Sequence, residues 1–171
     1  MTQAHQAVQA EAIVTAFNQL FQVPEQTVLV AGASEPFYVP GAPSQVFFRA
    51  DYVRSALHEV AHWCVAGRCR RALPDYGYWY SPDGRSEERQ TAFFSVEAKP
   101  QAIESFFCEA LNIEFAPSVD NLVLTSSDEA LRTFTDRIGA WRTRLLSGRL
   151  PHRASLFKAA LERFGGRGLI Q

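Results

Sequence analysis

Two histidines four residues apart form the most chemically informative pattern in this 171-residue chain. They lie in the run His58-Glu59-Val60-Ala61-His62, inside a stretch whose apolar residues recur at helical spacing. Positions four apart are separated by about 40° around an α-helix, so both imidazoles can reach one ion. The spacing therefore predicts a metal site on a helix, with His58 and His62 as ligands.

Such a site needs a third protein ligand, and a carboxylate on a second helix is a common supplier. Glu97 is the preferred candidate because it lies at the start of the next segment with helical spacing, where Pro100 suits a first turn or kinks the helix. Glu104 and Glu109 are the alternatives, since any glutamate facing the first helix would serve. Glu59 lies beside the histidine face, so we expect it to be catalytic, moving a proton or orienting a bound water; its alternative role is an ordinary salt bridge.

Two histidines and one carboxylate suit two different kinds of enzyme. In a zinc hydrolase the metal acidifies water, whereas in a non-heme Fe(II) oxygenase its open positions receive dioxygen. The ligand set alone does not choose between them. A closed structural zinc site is disfavoured, because no cysteine pair has C-x2-C spacing and three ligands leave a position open. The sequence has no H-x-D motif with a distal histidine, so 2-oxoglutarate is not implied.

The elements that must position these residues follow from hydrophobic periodicity. The histidine helix extends from about residue 51 to Gly67, which is a natural C-terminal stop. Four further segments have helical spacing, at residues 8–21, 95–111, 131–145 and 156–164. Three short β-branched or aromatic runs lie at residues 27–30, 36–39 and 45–49. Together they predict an α+β fold, a mostly helical single domain over residues 1–171 with a small antiparallel sheet.

Charge and cysteine usage indicate which partners and which cellular compartment to expect. Seventeen basic and eighteen acidic side chains give a formal charge of -1, so no bulk attraction for nucleic acid or an anionic membrane is expected. We find neither a secretion signal nor an apolar run of spanning length, which predicts a cytoplasmic protein. The three cysteines are expected to be reduced, buried thiols.

Longer blocks of sequence extend the pattern around the histidines. They are SALHEVAHWCVAG at 55–67, DYGYWYSPDGR at 75–85, VEAKPQAIESFFC at 96–108 and Asp120-Asn121-Leu122. H-E-x-x-H alone is shared with many metallopeptidases, but H-E-x-x-H-W-C followed by G-Y-W-Y-x-P-D-G-R and V-E-x-K-P-Q is specific to one family. From about residue 35 to about residue 164, the chain closely resembles the bacterial elongation factor P hydroxylases.

That resemblance implies an enzyme whose site architecture is similar to that of H-E-x-x-H metallopeptidases. Its expected substrate is the modified lysine of elongation factor P, after that lysine has received a β-lysyl group. The family's metal ligands fall on His58, His62 and Glu97, with Fe(II) as the metal and molecular oxygen as co-substrate. We expect a monomer, and a zinc metallopeptidase is the alternative function.

The aromatic segment at residues 73–85 is a candidate for substrate recognition. A cationic lysyl side chain would be favoured by aromatic rings and carboxylates near the metal. The candidate substrate-binding residues are Asp75, Tyr78, Tyr80, Asp83 and Arg85, with Tyr76 and Trp79 as further aromatic candidates. Arg85 and Lys99 either contact the protein substrate or are solvated charges. The competing interpretation is that the aromatics pack in the core and that Asp83-Gly84 is an ordinary turn.

Overall fold

The computed structural model of the protein describes residues 3–50, 52–78, 87–118 and 128–165. The helices and strands in these ranges follow one another as α1 (Gln3–Phe21), β1 (Thr27–Ala33), β2 (Phe37–Val39), β3 (Ser44–Arg49), α2 (Val53–Val65), α3 (Glu87–Ala110), α4 (Asp128–Ser147) and α5 (His152–Gly165). Two 3₁₀ turns, Arg70–Ala72 and Pro74–Gly77, follow α2. The predicted α+β class and the mostly helical content are confirmed.

The small sheet is mixed, not antiparallel as predicted. Its strand order is β1-β3-β2, with β2 antiparallel to β3 but β1 parallel to β3. The central place belongs to β3, which buries Val46 and Phe48 completely. By contrast, β2 is short and leaves Phe37 and Val39 partly exposed at the edge. Spacing along the sequence reveals neither the central place of β3 nor its direction relative to β1, because both depend on which strands pair.

An aromatic core fixes the helix that carries the histidines. Trp63 of α2 is fully buried, and its ring centroid lies 5.0 Å from that of Phe17 and 4.8 Å from that of Phe21, both in α1. Phe157 of α5 connects this group to Phe107 of α3, at 6.0 Å from Phe17 and 5.1 Å from Phe107. Tilted and edge-on rings at these distances pack favourably. The core therefore holds α1, α2, α3 and α5 together.

A side chain from α5 caps the end of α2. The Nη2 atom of Arg153 donates to the carbonyl oxygens of Trp63, Cys64 and Ala66 at 2.9, 3.3 and 2.7 Å. Its guanidinium also lies over the Trp63 ring, 4.5 Å from the centroid. The last carbonyls of a helix have no partner within the helix, so Arg153 satisfies groups that would otherwise be buried without a hydrogen bond.

The helix α3 begins earlier than the sequence predicts. It starts at Glu87 and not near residue 95, so Glu97 lies in the middle of a 24-residue helix. Its first half is fixed by Phe94, whose ring stacks on Phe134 of α4 at 4.3 Å. Pro100 is inside the helix and has no N–H to offer the carbonyl of Val96. Among the described helices, none is both long and apolar enough to cross a membrane.

Candidate metal centre

The candidate metal centre lies where α2 and α3 face each other. On α2, positions four residues apart bring Arg54, His58 and His62 to one face of the helix. On α3, spacings of four and three do the same for Glu97, Gln101 and Glu104. Hydrogen bonds and ion pairs join the two faces along their length. The regular spacing therefore aligns two polar stripes within a largely apolar helix interface.

Three ligand atoms converge at the centre of this interface. The Nε2 atoms of His58 and His62 lie 3.1 Å apart, and each faces the Glu97 carboxylate, at 3.5 Å from His58 and 3.2 Å from His62. Ligands about 2.1 Å from one ion would be separated by about 3.0 Å at right angles and about 3.4 Å in a tetrahedron. Two of the observed separations, 3.1 and 3.2 Å, lie in that range, and the third, 3.5 Å, is just above it. The structure thus brings the predicted ligand set, His58, His62 and Glu97, within reach of a single ion.

The charges around this triangle hold the pKa values of Glu97 and His58 far from their ordinary values. Burial alone would raise the pKa of Glu97, but His62 and His58 outweigh it and lower that pKa to about 2. Burial alone would lower the pKa of His58, but the hydrogen bond and charge of Glu104, together with the charges of Glu97 and Glu59, raise it to about 10. Without a metal, Glu97 is therefore a carboxylate at neutral pH and His58 an imidazolium.

Glu104, one of the alternative ligands, occupies a different position. Its Oε2 atom lies 2.9 Å from His58 Nδ1, on the side of the ring away from the ligand triangle. Its Oε1 atom accepts a hydrogen bond of 2.8 Å from Arg54 Nη2. Only 1% of Glu104 is exposed. The sequence contained a signal for this contact, because Glu104 lies seven residues after Glu97 and Arg54 lies four before His58.

Glu109, the other alternative, lies away from the centre. It is exposed and pairs with Arg142 of α4. Gln101 supports Glu97 instead: its amide lies 3.5 Å from Glu97 Oε2 and makes two hydrogen bonds with the backbone of Ser118. The loop after α3 is therefore fastened to the helix that carries the carboxylate ligand.

Glu59 is half-buried next to the two histidines on α2. Burial raises the pKa of its carboxyl group, an effect that His58 and His62 oppose. This carboxyl makes no hydrogen bond or ion pair with any other residue that the structure describes. The salt-bridge alternative therefore finds no partner within the described ranges, and the group is available to exchange a proton. Its catalytic role stays a prediction.

The described part of the aromatic segment packs against the sheet and the nearby arginines. Asp75 Oδ1 accepts a 2.7 Å hydrogen bond from the backbone N–H of Tyr38. Tyr76 is buried and stacks on the Tyr38 ring at 4.4 Å, as the packing interpretation predicts. The ring of Tyr78 lies beneath the guanidinium of Arg70, 4.4 Å from the centroid. One face of Tyr78 is therefore already covered.

The remaining predicted positions of the segment, Trp79, Tyr80, Asp83 and Arg85, lie outside the described residues. Asp75 and Tyr76 both have positive φ, 46° and 58°. Such backbone is strained for residues other than glycine and accumulates near functional sites. Lys99, also considered for substrate contact, lies over the Trp141 ring at 5.2 Å and so packs between α3 and α4.

A cavity of about 390 Å³ opens beside the ligand triangle. It is lined by His62, Val65, Ala66, Gly67, Arg68, Cys69, Arg70, Tyr78 and Pro100. Because His62 is part of its wall, the cavity gives access to one of the predicted ligands.

Cys69 is an exposed thiol, contrary to the prediction for all three cysteines, whereas Cys64 and Cys108 are buried as predicted. Burial raises the pKa of each of the latter two thiols to about 12.

Comparison with known proteins places this chain in a family. Residues 16–171 match the family described as elongation factor P hydroxylase. A curated relative, the elongation factor P lysine hydroxylase of Haemophilus influenzae, is 48% identical over 116 residues, which cover 66% of this chain and 65% of the relative. The chain thus spans just under two thirds of the length of that relative. Since the family match covers nearly all of the sequence, the chain belongs to the elongation factor P hydroxylase family.

Proposed function

We propose that this protein is a metal-dependent hydroxylase that acts on a lysine side chain of elongation factor P. The observation that carries the proposal is the triangle of His58 Nε2, His62 Nε2 and a Glu97 oxygen, with sides of 3.1, 3.2 and 3.5 Å, in a member of this family. Two imidazoles and one carboxylate on one side of an ion leave its other positions open for reactants. A zinc metallopeptidase shares the motif, but the family match does not favour it.

His58, His62 and Glu97 would hold the metal, which we propose is Fe(II). When bound, Fe(II) would supply open positions for molecular oxygen, which is the oxidant: one oxygen atom would enter a methylene C–H bond and the other would leave as water, with two electrons and two protons from an external reductant. The proposal does not include 2-oxoglutarate. Neutral imidazole is the form that binds metals, so His58 must lose its extra proton when the site is loaded.

The proposed substrate is the lysine of elongation factor P that already carries a β-lysyl group. A long, flexible side chain suits the 390 Å³ cavity that His62 lines. Arg68 and Arg70 also line this cavity, so a cationic side chain needs carboxylates to offset them. Glu59, beside the ligands, and Asp83, outside the described residues, are the candidates for that role.

The remaining predicted substrate contacts belong to the same proposal. Tyr78 is the proposed aromatic contact for the modified lysine, and the guanidinium of Arg70 lies over one face of its ring. Asp75 would act through the backbone it fixes, because its carboxylate already binds the N–H of Tyr38. Tyr80 and Arg85 are proposed to contact the modified lysine or the surrounding surface of elongation factor P. We propose in addition that residues 1–171 act as one domain, a monomer in the cytoplasm, where translation factors work.

Intact-protein mass spectrometry tests the reaction directly. The protein is purified without oxygen, loaded with Fe(II) or Zn(II), and mixed with β-lysylated elongation factor P, oxygen and an excess of a reductant such as ascorbate. A gain of about 16 Da in the substrate with Fe(II) alone is the expected result, since one oxygen atom enters the product. Unmodified elongation factor P in a parallel reaction tests whether the β-lysyl group is required.

Matched variants separate the site from the rest of the protein. His62→Ala and Glu97→Gln should abolish the mass gain, whereas Glu109→Gln, on the same helix but outside the centre, should not. Absence of any gain with Fe(II) would refute the hydroxylase. Cleavage of a peptide bond with Zn(II) would instead support the metallopeptidase.

A further inference from the structure

One buried carboxylate near the centre does not belong to the ligand triangle. Glu104 is 1% exposed and lies with one oxygen 2.9 Å from His58 Nδ1 and the other 2.8 Å from Arg54 Nη2. Burying a carboxylate is costly unless both of its oxygens have partners. The site thus retains a second acidic side chain that does not face the metal, and its position requires a reason.

The chemistry of the carboxylate defines what it does to His58. A carboxylate only accepts hydrogen bonds, so the 2.9 Å contact places a proton on Nδ1 of His58. With Nδ1 protonated, the lone pair that can bind a metal is on Nε2, the atom that faces His62 and Glu97. We propose that Glu104 is a positioning residue, which fixes the Nδ1–H tautomer of His58 and the orientation of its ring toward the metal. This inference rests on the metal site of the proposed function, but not on the hydroxylation itself.

Arg54 holds Glu104 in place in turn. Besides its bonds to Glu104, its Nη2 atom donates to the carbonyl of Ala116 at 2.6 Å, and its guanidinium lies 5.4 Å from the Phe115 ring centroid. The row Arg54, Glu104, His58 therefore extends from the loop after α3 to the ligand atoms. Arg54 and His58, on either side of Glu104, both require it to accept a hydrogen bond.

That requirement makes Glu104→Gln an informative variant. Glutamine has nearly the same shape, but one of its terminal atoms donates and the other accepts. If the amide oxygen stays on Arg54, the amide nitrogen faces His58 and favours the Nε2–H tautomer, which cannot bind the metal through Nε2. If the oxygen faces His58, the amide nitrogen opposes the Arg54 guanidinium. Either arrangement should weaken metal binding.

Zn(II) and Co(II), measured by competition with a chromophoric chelator, are suitable probes because they need no substrate or oxygen. The pH-independent affinity is taken from titrations at several pH values, because removal of the Glu104 charge also lowers the pKa of His58 and so reduces competition from its proton. We expect Glu104→Gln to weaken this affinity by about 10-fold to 100-fold, the range found when partners of metal-ligating histidines are removed. Glu109→Gln, on an exposed part of the same helix, is the matched control and should leave affinity unchanged. Arg54→Met, which leaves Glu104 intact, should have a smaller effect.

A double-mutant cycle distinguishes positioning from general stabilisation. In the His58→Ala background, Glu104→Gln should cause no further loss of Zn(II) affinity, because its effect passes through the imidazole. A full additional loss there would overturn the inference, as would an unchanged affinity of the single variant. Nitrogen-15 NMR of histidine in the Zn(II)-loaded wild type gives a check that needs no variant: His58 must bind through Nε2 and carry its proton on Nδ1. Coordination through Nδ1 would overturn it, and failure of the wild type to bind either metal would overturn the metal site as well.

Discussion

Metal binding at this centre should release a proton from His58. In the metal-free protein, the Nε2 atoms of His58 and His62 lie 3.1 Å apart, a separation at which two bare lone pairs would repel. Because the pKa of His58 is raised to about 10, this residue carries the proton that lies between the two nitrogen atoms at neutral pH. A divalent ion that binds there must replace that proton. Because that pKa is about three pH units above 7, the proton should weaken apparent affinity at pH 7 by about a thousandfold, and affinity should rise about tenfold per pH unit up to about pH 9.

Calorimetric titration with Zn(II) in buffers of different ionisation enthalpy measures this proton directly. At pH 7 we expect about one proton released per ion bound, with the matching pH slope in chelator-competition experiments. His62→Ala lowers the affinity itself but leaves the Glu104 contact of His58, so a release should persist in that variant. An affinity that does not change between about pH 6 and 8, with no proton released, would refute the reasoning.

Three further predictions concern stability and the loop after α3. With chelator present, the free energy of unfolding should fall by about 1.4 kcal/mol per pH unit between about pH 7 and 9, because folded His58 retains a proton that the unfolded chain loses above its ordinary pKa of 6.5. Urea titrations test this, and His58→Gln should flatten the slope. Arg153→Met should lower stability by about 2 kcal/mol by leaving helix-end carbonyls unpaired, while Zn(II) stoichiometry is kept; an unchanged melting temperature would contradict this. Gln101→Leu should speed amide hydrogen exchange at Ser118, whose N–H donates to the glutamine, and unchanged exchange would show that the bond does not hold the loop.

The histidine pair of the candidate site could be predicted from the sequence because its proximity depends on local geometry. A spacing of four on one helix places His58 and His62 together whatever the tertiary structure. Glu97 required knowledge of which face of α3 meets α2, and periodicity left Glu104 and Glu109 as alternatives. The structure separates the three by place: Glu97 faces both Nε2 atoms, Glu104 faces Nδ1, and Glu109 is on the outside.

The predictions that were wrong have a common physical origin: they depend on contacts between residues that are far apart in the sequence. The sheet is mixed because β3 pairs in parallel with β1 and antiparallel with β2, and the burial of Val46 and Phe48 goes with the central position of β3. Helix α3 extends on the N-terminal side of residue 95, where Phe94 stacks on Phe134 of α4. In the aromatic segment, Tyr76 stacks on Tyr38 and Tyr78 lies against Arg70, and neither contact can be read from the local sequence. Periodicity identifies helices and strands. The order of the strands, the length of a helix and the availability of a side chain depend on the residues they pack against.

The balance of buried charge explains why this polar interface between two helices can exist both with and without a metal. Two carboxylates, Glu97 and Glu104, lie there at 2% and 1% exposure. Arg54 and the protonated His58 balance them, one positive charge for each negative one. Breaking a buried pair is far more costly than exchanging one partner for another. A divalent ion that replaced the proton on His58 would keep both Glu97 and Glu104 paired, so we expect the helices not to repack when the site is loaded or emptied.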